Sequence, residues 1–432
     1  MRVITLEQGQ KPNESLIERG VVFDPHIVAT VSEIIHTVRD KGDRALFDYT
    51  QKFDGVATKE LRISEQEVQA ASKKANQSVV KALHTSGQNI FDFHERQRRE
   101  GILVARPDGA LLGTKITPLD SVGIYVPGGR ALYPSTVLMC ALPARVAGVR
   151  RIVMVTPPNE QGRVDPILLA AAQIAGVTEV YAVGGAQAIA ALAYGSESIA
   201  PVDKIVGPGN AYVAAAKRAV SGDVGIDMIA GPSELAILAD ESSEPALIAL
   251  DLMAQAEHDP DAACYLVTTD PDLVGEVQEE IAAFIEDSPR KEITQEALKN
   301  NGIIFVAPDL TTALGAINAI APEHLEIQAD GALDYLGLID NAGAIFLGNW
   351  SPTSVGDYTA GTNHTLPTSG SARFSSPLSV DDFVKTSSVV SYSYSALKQD
   401  EETILTLAAA EGLWAHGKSV RARFELMEYE DE

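Results

Sequence analysis

The feature that most constrains the fold is an alternation of strand-like and helix-like segments that begins near residue 110. Short apolar runs, SVGIYV, RIVMVT and TEVYAV, are each followed by a turn and then by a longer segment with helical periodicity. The period is about thirty residues, which is the size of a βαβ unit. Parallel strands need such helical crossovers, so the pattern predicts a buried parallel sheet with helices on both faces.

The same rhythm restarts near residue 233, where ELAILAD, CYLVTT and GIIFVAP are strand-like. A chain of 432 residues is too long for one ordinary core. The predicted fold class is therefore α/β, with two Rossmann-like parallel-sheet domains, a mainly helical N-terminal region and a small C-terminal helical part. The predicted boundaries are 1–110 for the N-terminal region, 111–232 and 233–377 for the two α/β domains, and 378–432 for the C-terminal extension.

One segment, 348–377, departs from this rhythm because it is dense in Gly, Ser, Thr, Asn and Pro. A polar loop of this length inside a compact protein is usually functional or disordered. Apolar segments flank it on both sides, which argues against a flexible tail. We therefore predict a long polar active-site loop within the second α/β domain.

Charge and cysteine content exclude several classes of protein. The net charge is −25 and no basic stripe is present, so neither nucleic acid nor an anionic membrane surface is an expected partner. No apolar run is long enough for a membrane span, and the N-terminus lacks a signal core. The two cysteines, Cys140 and Cys264, lie in apolar runs and form no CxxC motif. These observations predict a cytoplasmic protein.

Four glycine-containing turns, VPGGR, VGGAQA, VGPGNAY and AGPSEL, lie beside predicted strands. Ligands of doubly wound sheets bind at the carboxyl ends of strands, where such turns can present backbone N–H groups to a phosphate. The dinucleotide fingerprint GxGxxG is absent, because Tyr212 stands where its last glycine would follow Gly207 and Gly209. On their own, these turns favour ordinary turn chemistry over a dinucleotide site.

Four histidines of the second half of the chain lie close in sequence to acidic residues: His258, His324, His364 and His416. One such histidine is usually a hydrogen-bonded structural residue. Four together favour a metal or acid–base site as strongly as they favour structural roles. Neither HExxH nor a Cys–His spacing is present, so spacing names no metal.

Eight blocks in order along nearly the whole chain resemble the histidinol dehydrogenase family. They are VGIYVPGGRALYPSTVLM, VGGAQAIAALAYG, KIVGPGNAYVAAAK, GPSELAILAD, AQAEHDPDA, APEHLEI, GDYTAGTNHTLPTSGSAR and EGLWAH. The resemblance implies oxidation of L-histidinol through L-histidinal to L-histidine with reduction of two NAD⁺, the last steps of histidine biosynthesis. It also implies two incomplete Rossmann-like domains that bind NAD without GxGxxG, and one Zn²⁺ per subunit.

The resemblance implies a homodimer whose active sites are shared between subunits. The C-terminal extension is expected to reach the partner subunit, and the N-terminal region is expected to pack on the second α/β domain.

Carried over by motif, the resemblance also implies roles for individual residues. The zinc ligands would be Gln255, His258, Asp357 and His416, and the catalytic acid–base pair would be Glu323 and His324. The substrate would contact these ligands, His324, Ser233, His364 and Glu411, and NAD would contact Tyr125, Gln187 and Asn210.

Elementary geometry supports part of this set. Gln255 and His258 are three residues apart, so both are expected on one face of a helix end, whereas Glu257 and Asp259 would point away. An imidazole suits the role of base near neutral pH, which is the expected role of His324. A carboxylate beside it, Glu323, is a sensible activator of the water that the second oxidation needs.

Taken singly, several of these residues have simpler interpretations. Asp357 would cap a turn, Glu411 would be a solvated helix residue, and Gln187 and Asn210 would be helix caps. Three other functions are also compatible with the pattern: a family paralogue that oxidises another polar alcohol, a zinc-dependent hydrolase, and a non-catalytic metabolite-binding protein.

Overall fold

The computed structural model describes residues 1–17, 23–128 and 132–427, which form two compact units. The larger unit contains the described residues of 1–98 and 119–383, and the smaller unit contains 99–118 and 384–427. Parts of the turn VPGGR, Gly129 and Arg130, lie outside the described residues. No helix in the described part of the chain is long and apolar enough to cross a membrane.

The strands, in chain order, are β1 (Arg2–Thr5), β2 (Arg62–Ile63), β3 (Leu103–Ala105), β4 (Leu111–Pro118), β5 (Ser121–Tyr125), β6 (Arg151–Thr156), β7 (Glu179–Ala182), β8 (Lys204–Val206), β9 (Gly225–Ile226), β10 (Glu234–Ala239), β11 (Ala263–Thr268), β12 (Gly302–Val306), β13 (His324–Gln328), β14 (Ala344–Leu347) and β15 (Val384–Ser391).

The α-helices are α1 (Glu14–Ile17), α2 (Pro25–Lys41), α3 (Asp43–Asp54), α4 (Glu65–Lys74), α5 (Gln77–Glu95), α6 (Pro134–Ala147), α7 (Pro166–Ala175), α8 (Gly185–Tyr194), α9 (Ala211–Val220), α10 (Pro245–Ala256), α11 (Leu273–Phe284), α12 (Lys291–Asn301), α13 (Leu310–Ile320), α14 (Thr353–Tyr358), α15 (Tyr394–Ala410) and α16 (Trp414–Leu426). Short 3₁₀ helices span Ile285–Asp287, Ala332–Leu338, Ser371–Arg373 and Val380–Phe383.

The larger unit contains two six-stranded sheets whose five other strands follow the same order and whose first edge strands, β1 and β2, differ in direction. The first sheet has the order β2-β7-β6-β5-β8-β9, and the second has the order β1-β12-β11-β10-β13-β14. In each, the chain builds three adjacent parallel strands and then returns beside the first of them, which is the order 3-2-1-4-5 of Rossmann-like folds. Only the edge strand β2 runs antiparallel to its neighbour. The predicted α/β class with two parallel sheets is confirmed.

Residues from the N-terminal region add to both sheets rather than to one. Strand β1 pairs with β12, and Ile17 of α1 lies in the core of the second sheet. Helices α2 to α5 instead contact helices α6 to α9 of the first sheet. The reason is the apolar stripe of α2, where Val31, Ile34 and Val38 recur at helical spacing and are buried among the residues of α8 and α9. The expected packing of this region on the second domain therefore differs from the arrangement found.

The smaller unit is not only helical. Strand β15 pairs antiparallel with β4, which also pairs with β3, and helices α15 and α16 contact each other. Consequently residues 111–118, predicted as part of the first α/β domain, belong to this three-stranded sheet. Residues 378–383, predicted as part of the C-terminal extension, belong to the larger unit.

The central strands of each sheet carry buried apolar side chains on both faces. In β12, Phe305 is fully buried and stacks on Tyr265 of β11 at a ring-centroid distance of 6.4 Å. Both rings belong to the core between the second sheet and α13. Phe305 is therefore an anchor of the sheet that carries the site described below.

Replacing Phe305 with Ala is expected to lower the free energy of unfolding by about 3–5 kcal/mol, because it removes a large buried ring and leaves a cavity. Urea denaturation followed by circular dichroism measures the change. Leu333→Ala is the control, since Leu333 is 70% exposed and surface changes stay within about 0.5 kcal/mol. Equal effects of the two variants would contradict the assigned core.

Candidate active site

A cavity of about 1010 Å³ in the larger unit brings together most of the residues predicted to be functional. Those that line it are Asn210, Ser233, Gln255, His258, Glu323, His324, Asp357 and His364. Asn210 follows β8 at the carboxyl edge of the first sheet. Ser233 precedes β10, and Glu323 precedes β13, so these two residues lie at the amino edge of the second sheet. The turn AGPSEL therefore leads into a strand, unlike the other three glycine turns.

The centre of the cavity wall is the junction of β10 and β13. The two strands are parallel, with Leu235 opposite His324, so Glu234 lies beside the Glu323–His324 pair. The backbone N–H of Glu234 donates to Glu323 Oε2 at 2.9 Å. Its carbonyl oxygen lies 3.0 Å from His324 Nδ1. One residue of the neighbouring strand thus holds both members of the predicted acid–base pair.

This contact determines the tautomer of His324. A carbonyl oxygen only accepts hydrogen bonds, so Nδ1 carries the hydrogen and donates it to Glu234. In the neutral ring, Nε2 is then the nitrogen that can accept a proton. Glu323 Oε2 lies 3.7 Å from Nδ1, so the carboxyl group and the ring are neighbours.

Burial moves the pKa values of the pair in opposite directions. Burial raises the pKa of Glu323 well above its usual value, and the nearby carboxylates of Glu234 and Asp357 raise it further. Burial lowers the pKa of the His324 imidazole, although the Asp357 carboxylate acts against this. Burial therefore disfavours the charged form of each group, so the carboxyl group becomes a stronger base and the imidazole is kept neutral.

The backbone next to Glu323 is closely packed on both sides. Ala321 ends α13 in the left-handed conformation, with φ of 51°. Gly343 passes so close behind the pair that a Cβ atom there would lie 2.5 Å from the Glu323 carbonyl oxygen. Only glycine fits at this position, so the backbone on both sides of Glu323 is constrained.

Gln255 and His258 line the same cavity and lie at the C-terminal end of α10. Helix α10 ends at Ala256, so Gln255 is helical and buried, whereas His258 lies in the following turn and is exposed. The His258 N–H donates to the Gln255 carbonyl oxygen at 3.3 Å, so His258 directly continues the end of the helix. Glu257 and Asp259 were expected to point away, yet both also line the cavity.

Asp357 and His364 form the other side of the site. Asp357 lies in α14, so the predicted long loop contains a helix, and Asp357 does not merely cap a turn. His364 Nδ1 lies 3.7 Å from Asp357 Oδ1, and His364 Nε2 lies 3.3 Å from Thr136 Oγ1. Burial lowers the pKa of His364, so the ring is held as a neutral neighbour of the Asp357 carboxylate.

Two further residues of the cavity wall, Lys217 and Asp227, were missed by sequence reasoning. Their side chains form an ion pair with exposures of only 2% and 1%. Lys217 Nζ also donates to the Gly207 carbonyl oxygen at 2.9 Å, and Gly207 N–H donates to Asp227 Oδ2 at 2.8 Å. The pair thus holds the turn VGPGN on both sides. The only sequence signal is a lysine at a buried position of the alanine-rich helix α9.

The three predicted NAD contacts have different surroundings. Asn210 lines the cavity and caps α9, accepting from the N–H groups of Tyr212 and Val213 at 3.1 Å. Tyr125 is buried and accepts a hydrogen bond from Gly185 N–H at 3.1 Å. Gln187 is also buried, and its Oε1 has no hydrogen-bond partner among the described residues. Of the three, only Asn210 lines the cavity.

The smaller unit carries the remaining predicted residues, Glu411 at the end of α15 and His416 in α16. Among the described residues, no three His, Cys, Asp or Glu side chains lie together as a metal-binding group. The donors available around the cavity are the Gln255 amide, the His258 imidazole and the Asp357 carboxylate. Nitrogen and oxygen donors of this kind suit Zn²⁺, although an amide is an uncommon zinc ligand.

Comparisons with known proteins agree on one family. A family model described as histidinol dehydrogenase matches residues 18–424. A histidinol dehydrogenase of Bacillus cereus is 52% identical over 410 residues, which are 95% of this chain and 95% of that protein. One from Listeria monocytogenes is 50% identical over 98% of this chain and 99% of its own length. A crystal structure of histidinol dehydrogenase from Elizabethkingia anophelis matches with a TM-score of 0.93 and 35% identity, covering 99% of this chain and 98% of that one.

Lys217→Met is expected to lower the free energy of unfolding by about 3–5 kcal/mol, because it leaves the buried Asp227 carboxylate unpaired. The double variant Lys217→Met with Asp227→Leu is expected to recover much of this loss, since no buried charge then remains. Chemical denaturation of the single and double variants measures the difference. A double variant as unstable as the sum of its single changes would contradict the assigned pairing.

Proposed function

The chain belongs to the histidinol dehydrogenase family, and on that basis we propose that it oxidises L-histidinol through L-histidinal to L-histidine with two molecules of NAD⁺. The observation that carries this proposal is the Glu323–His324 pair, held by Glu234 in the cavity that also contains Gln255, His258 and Asp357. These side chains supply a proton acceptor, a carboxyl group and metal donors in one place. Comparable sets serve hydrolases, but the family membership favours alcohol oxidation.

The first oxidation requires a base that takes the hydroxyl proton as hydride leaves carbon. His324 suits this role because its Nδ1 is occupied by the Glu234 carbonyl oxygen, so that Nε2 accepts the proton. The lowered pKa keeps the ring neutral and ready as a base at neutral pH. When bound, NAD⁺ supplies the hydride acceptor, and the protein places the substrate against it.

The second oxidation requires addition of water to the aldehyde. Glu323 suits the activation of this water because burial raises its pKa towards neutral pH, where a carboxylate is a stronger base than an ordinary glutamate. The carboxyl group and the imidazole are 3.7 Å apart. One bound substrate can therefore use both groups in turn, and the reactive aldehyde stays in the cavity between the two steps.

We propose Gln255, His258 and Asp357 as zinc ligands, together with His416 from the second copy of a homodimer. Bound Zn²⁺ supplies Lewis acidity and a template for the imidazole and amine of the substrate. His364 holds Asp357 on one side through the contact at 3.7 Å. Ser233 and His364 line the cavity where they contact substrate, and Glu411 of the second copy completes the substrate contacts.

The turn of Gly207 to Asn210 is the proposed wall of the NAD site, together with Tyr125 and Gln187. Gly207 has φ of 108°, and a Cβ atom there would collide with the carbonyl oxygen of Tyr125. Glycine is therefore required where this turn passes the end of β5, and it fixes the position of Asn210 three residues later. Gln187 Oε1, which is buried and has no hydrogen-bond partner in the described part of the chain, is the proposed acceptor at this edge of the first sheet.

The direct test mixes zinc-loaded protein, NAD⁺ and L-histidinol and records NADH absorbance and histidine. Two NADH and one histidine per histidinol are expected. Absence of NADH would overturn the dehydrogenase proposal. One NADH per substrate without histidine would identify a paralogue that oxidises another polar alcohol.

The pH dependence of kcat/KM reports the protonation of His324. Because burial lowers its pKa, the base form persists below the ordinary histidine value of about 6.5. We therefore expect kcat/KM to stay level as the pH falls from 8 to about 6.5 and to decrease only below that value. His324→Asn is expected to lose about 10²–10⁴-fold in turnover. Unchanged turnover of this variant would exclude His324 as the base.

Zinc affinity distinguishes the amide from its acidic neighbours. Gln255→Ala removes a proposed ligand. Competition with a chromophoric chelator is therefore expected to show a zinc affinity that is lower by about 10-fold or more. Glu257→Ala is the matched control, because Glu257 is exposed and lies two residues away in the same segment. A larger loss for Glu257 than for Gln255 would reverse the proposed ligand assignment.

A further inference from the structure

A pair of carboxyl groups, Asp251 of α10 and Glu326 of β13, lies behind the proposed active site. Neither residue lines the cavity described above. Glu326 is only 1% exposed, and the two side chains hydrogen bond to each other. No cation of the described residues acts on either carboxyl group. Two buried carboxyl groups without a cation are costly, so their presence in the core of the second sheet requires a reason.

The pair shares one proton. Burial and the Asp251 carboxylate raise the pKa of Glu326 to about 8, and burial also raises the pKa of Asp251. Glu326 is the protonated member and donates to Asp251. Gln328 Nε2 donates to both groups, at 2.7 Å to Glu326 Oε2 and 2.9 Å to Asp251 Oδ2. The cluster therefore contains one negative charge that is hydrogen bonded from two sides.

The cluster is continuous with the polar face of β13. Leu325 and Ile327 face the apolar core on one side of this strand. Along the other side lie His324, Glu326 and Gln328, each two residues apart and all buried. In the neighbouring strand β10, the corresponding side carries the apolar residues Leu235 and Ile237. On this side of the sheet, β13 is therefore polar where its neighbour β10 is apolar.

Glu326 also holds the helix that contains a proposed zinc ligand. The backbone N–H of Thr353, the first residue of α14, donates to Glu326 Oε1 at 2.9 Å. Thr353 is four residues before Asp357, which is about one helical turn. Asp251 is likewise four residues before Gln255 on α10, and residues at this spacing share a helix face.

Each of the three elements tied together by the carboxyl pair thus carries one residue of the proposed site. Helix α10 carries Gln255, strand β13 carries His324, and helix α14 carries Asp357. In each helix, the residue that takes part in the cluster lies four residues, or about one turn, before the site residue. In β13 it lies two residues after His324, on the same side of the strand. Hydrogen bonds are directional, so this pair restricts the distances among the three elements more closely than apolar packing would.

We propose that the Asp251–Glu326 pair is a positioning pair that sets the places of Gln255 and Asp357 relative to His324 and thereby raises the zinc affinity of the site. This inference rests on the proposed function, which names Gln255 and Asp357 as ligands. Neither carboxyl group of the pair is assigned a contact with metal, substrate or NAD.

The test compares three variants of the full-length protein. Glu326→Ala removes both the acceptor for Thr353 N–H and the donor to Asp251. Glu326→Gln keeps both, because its amide oxygen accepts from Thr353 N–H and its NH₂ group donates to Asp251. The Gln328 amide then turns to present its oxygen, because its Nε2 would otherwise face that NH₂ group. Leu298→Ala truncates a buried residue of α12 in the same core without touching the pair, and it controls for loss of stability.

Zinc affinity is measured by competition with a chromophoric chelator, and Co²⁺-loaded protein is examined by its visible absorption, which reports ligand geometry. We expect Glu326→Ala to bind zinc about 10-fold or more weakly and to alter the Co²⁺ spectrum. Glu326→Gln is expected to restore both properties, and Leu298→Ala is expected to change neither. Rescue by the glutamine variant distinguishes positioning from a general loss of stability.

Zinc affinity and a Co²⁺ spectrum unchanged in Glu326→Ala would overturn this inference while leaving the proposed function intact. An equal loss of zinc affinity in Leu298→Ala would also overturn it, because the effect would then follow stability alone. Failure of the unaltered protein to bind zinc would overturn the proposed metal site, and the positioning role with it.

Discussion

The parallel pairing of β10 with β13 is the interaction on which the rest of the site depends. Its register places Leu235 opposite His324, and this brings the N–H and C=O groups of Glu234 to the two members of the acid–base pair. A shift of one residue would turn His324 to the opposite face of the sheet. The register of a buried sheet therefore determines which nitrogen of His324 carries its hydrogen, because it places the Glu234 carbonyl oxygen beside Nδ1.

The cavity is lined by residues of two sheets that share the strand order 3-2-1-4-5 but contribute opposite edges. The first sheet contributes turns at the carboxyl ends of its strands, among them the turn after β8. The second contributes residues at the amino ends of β10 and β13. Dinucleotide sites of doubly wound sheets use the carboxyl edge. The proposed NAD contacts follow that rule, and the proposed chemistry is supplied by the other sheet.

Buried polar groups recur around this cavity in pairs, and each pair is linked to backbone. Lys217 and Asp227 hold Gly207, Glu323 and His324 are held by Glu234, and Glu326 with Asp251 holds Thr353. Buried ionisable groups seldom stabilise a protein more than apolar residues of the same volume. Here they contribute to geometry, because their directional hydrogen bonds to the backbone define where turns and helix ends lie.

The sequence by itself determined the class of fold, because strand and helix periodicities are local properties of the chain. It also identified, through motifs shared with a family, the residues Gln255, His258, Glu323, His324, Asp357 and His364 that the tertiary structure brings to one cavity. It did not determine that 353–358 are helical, and the interpretation of Asp357 as the cap of a turn differed from the structure for that reason. Only the tertiary structure decided which groups are buried, and hence the opposite pKa shifts of Glu323 and His324. The pairs Lys217–Asp227 and Asp251–Glu326 also arise only in three dimensions, because their members lie on separate elements that come together through packing, which no local pattern encodes.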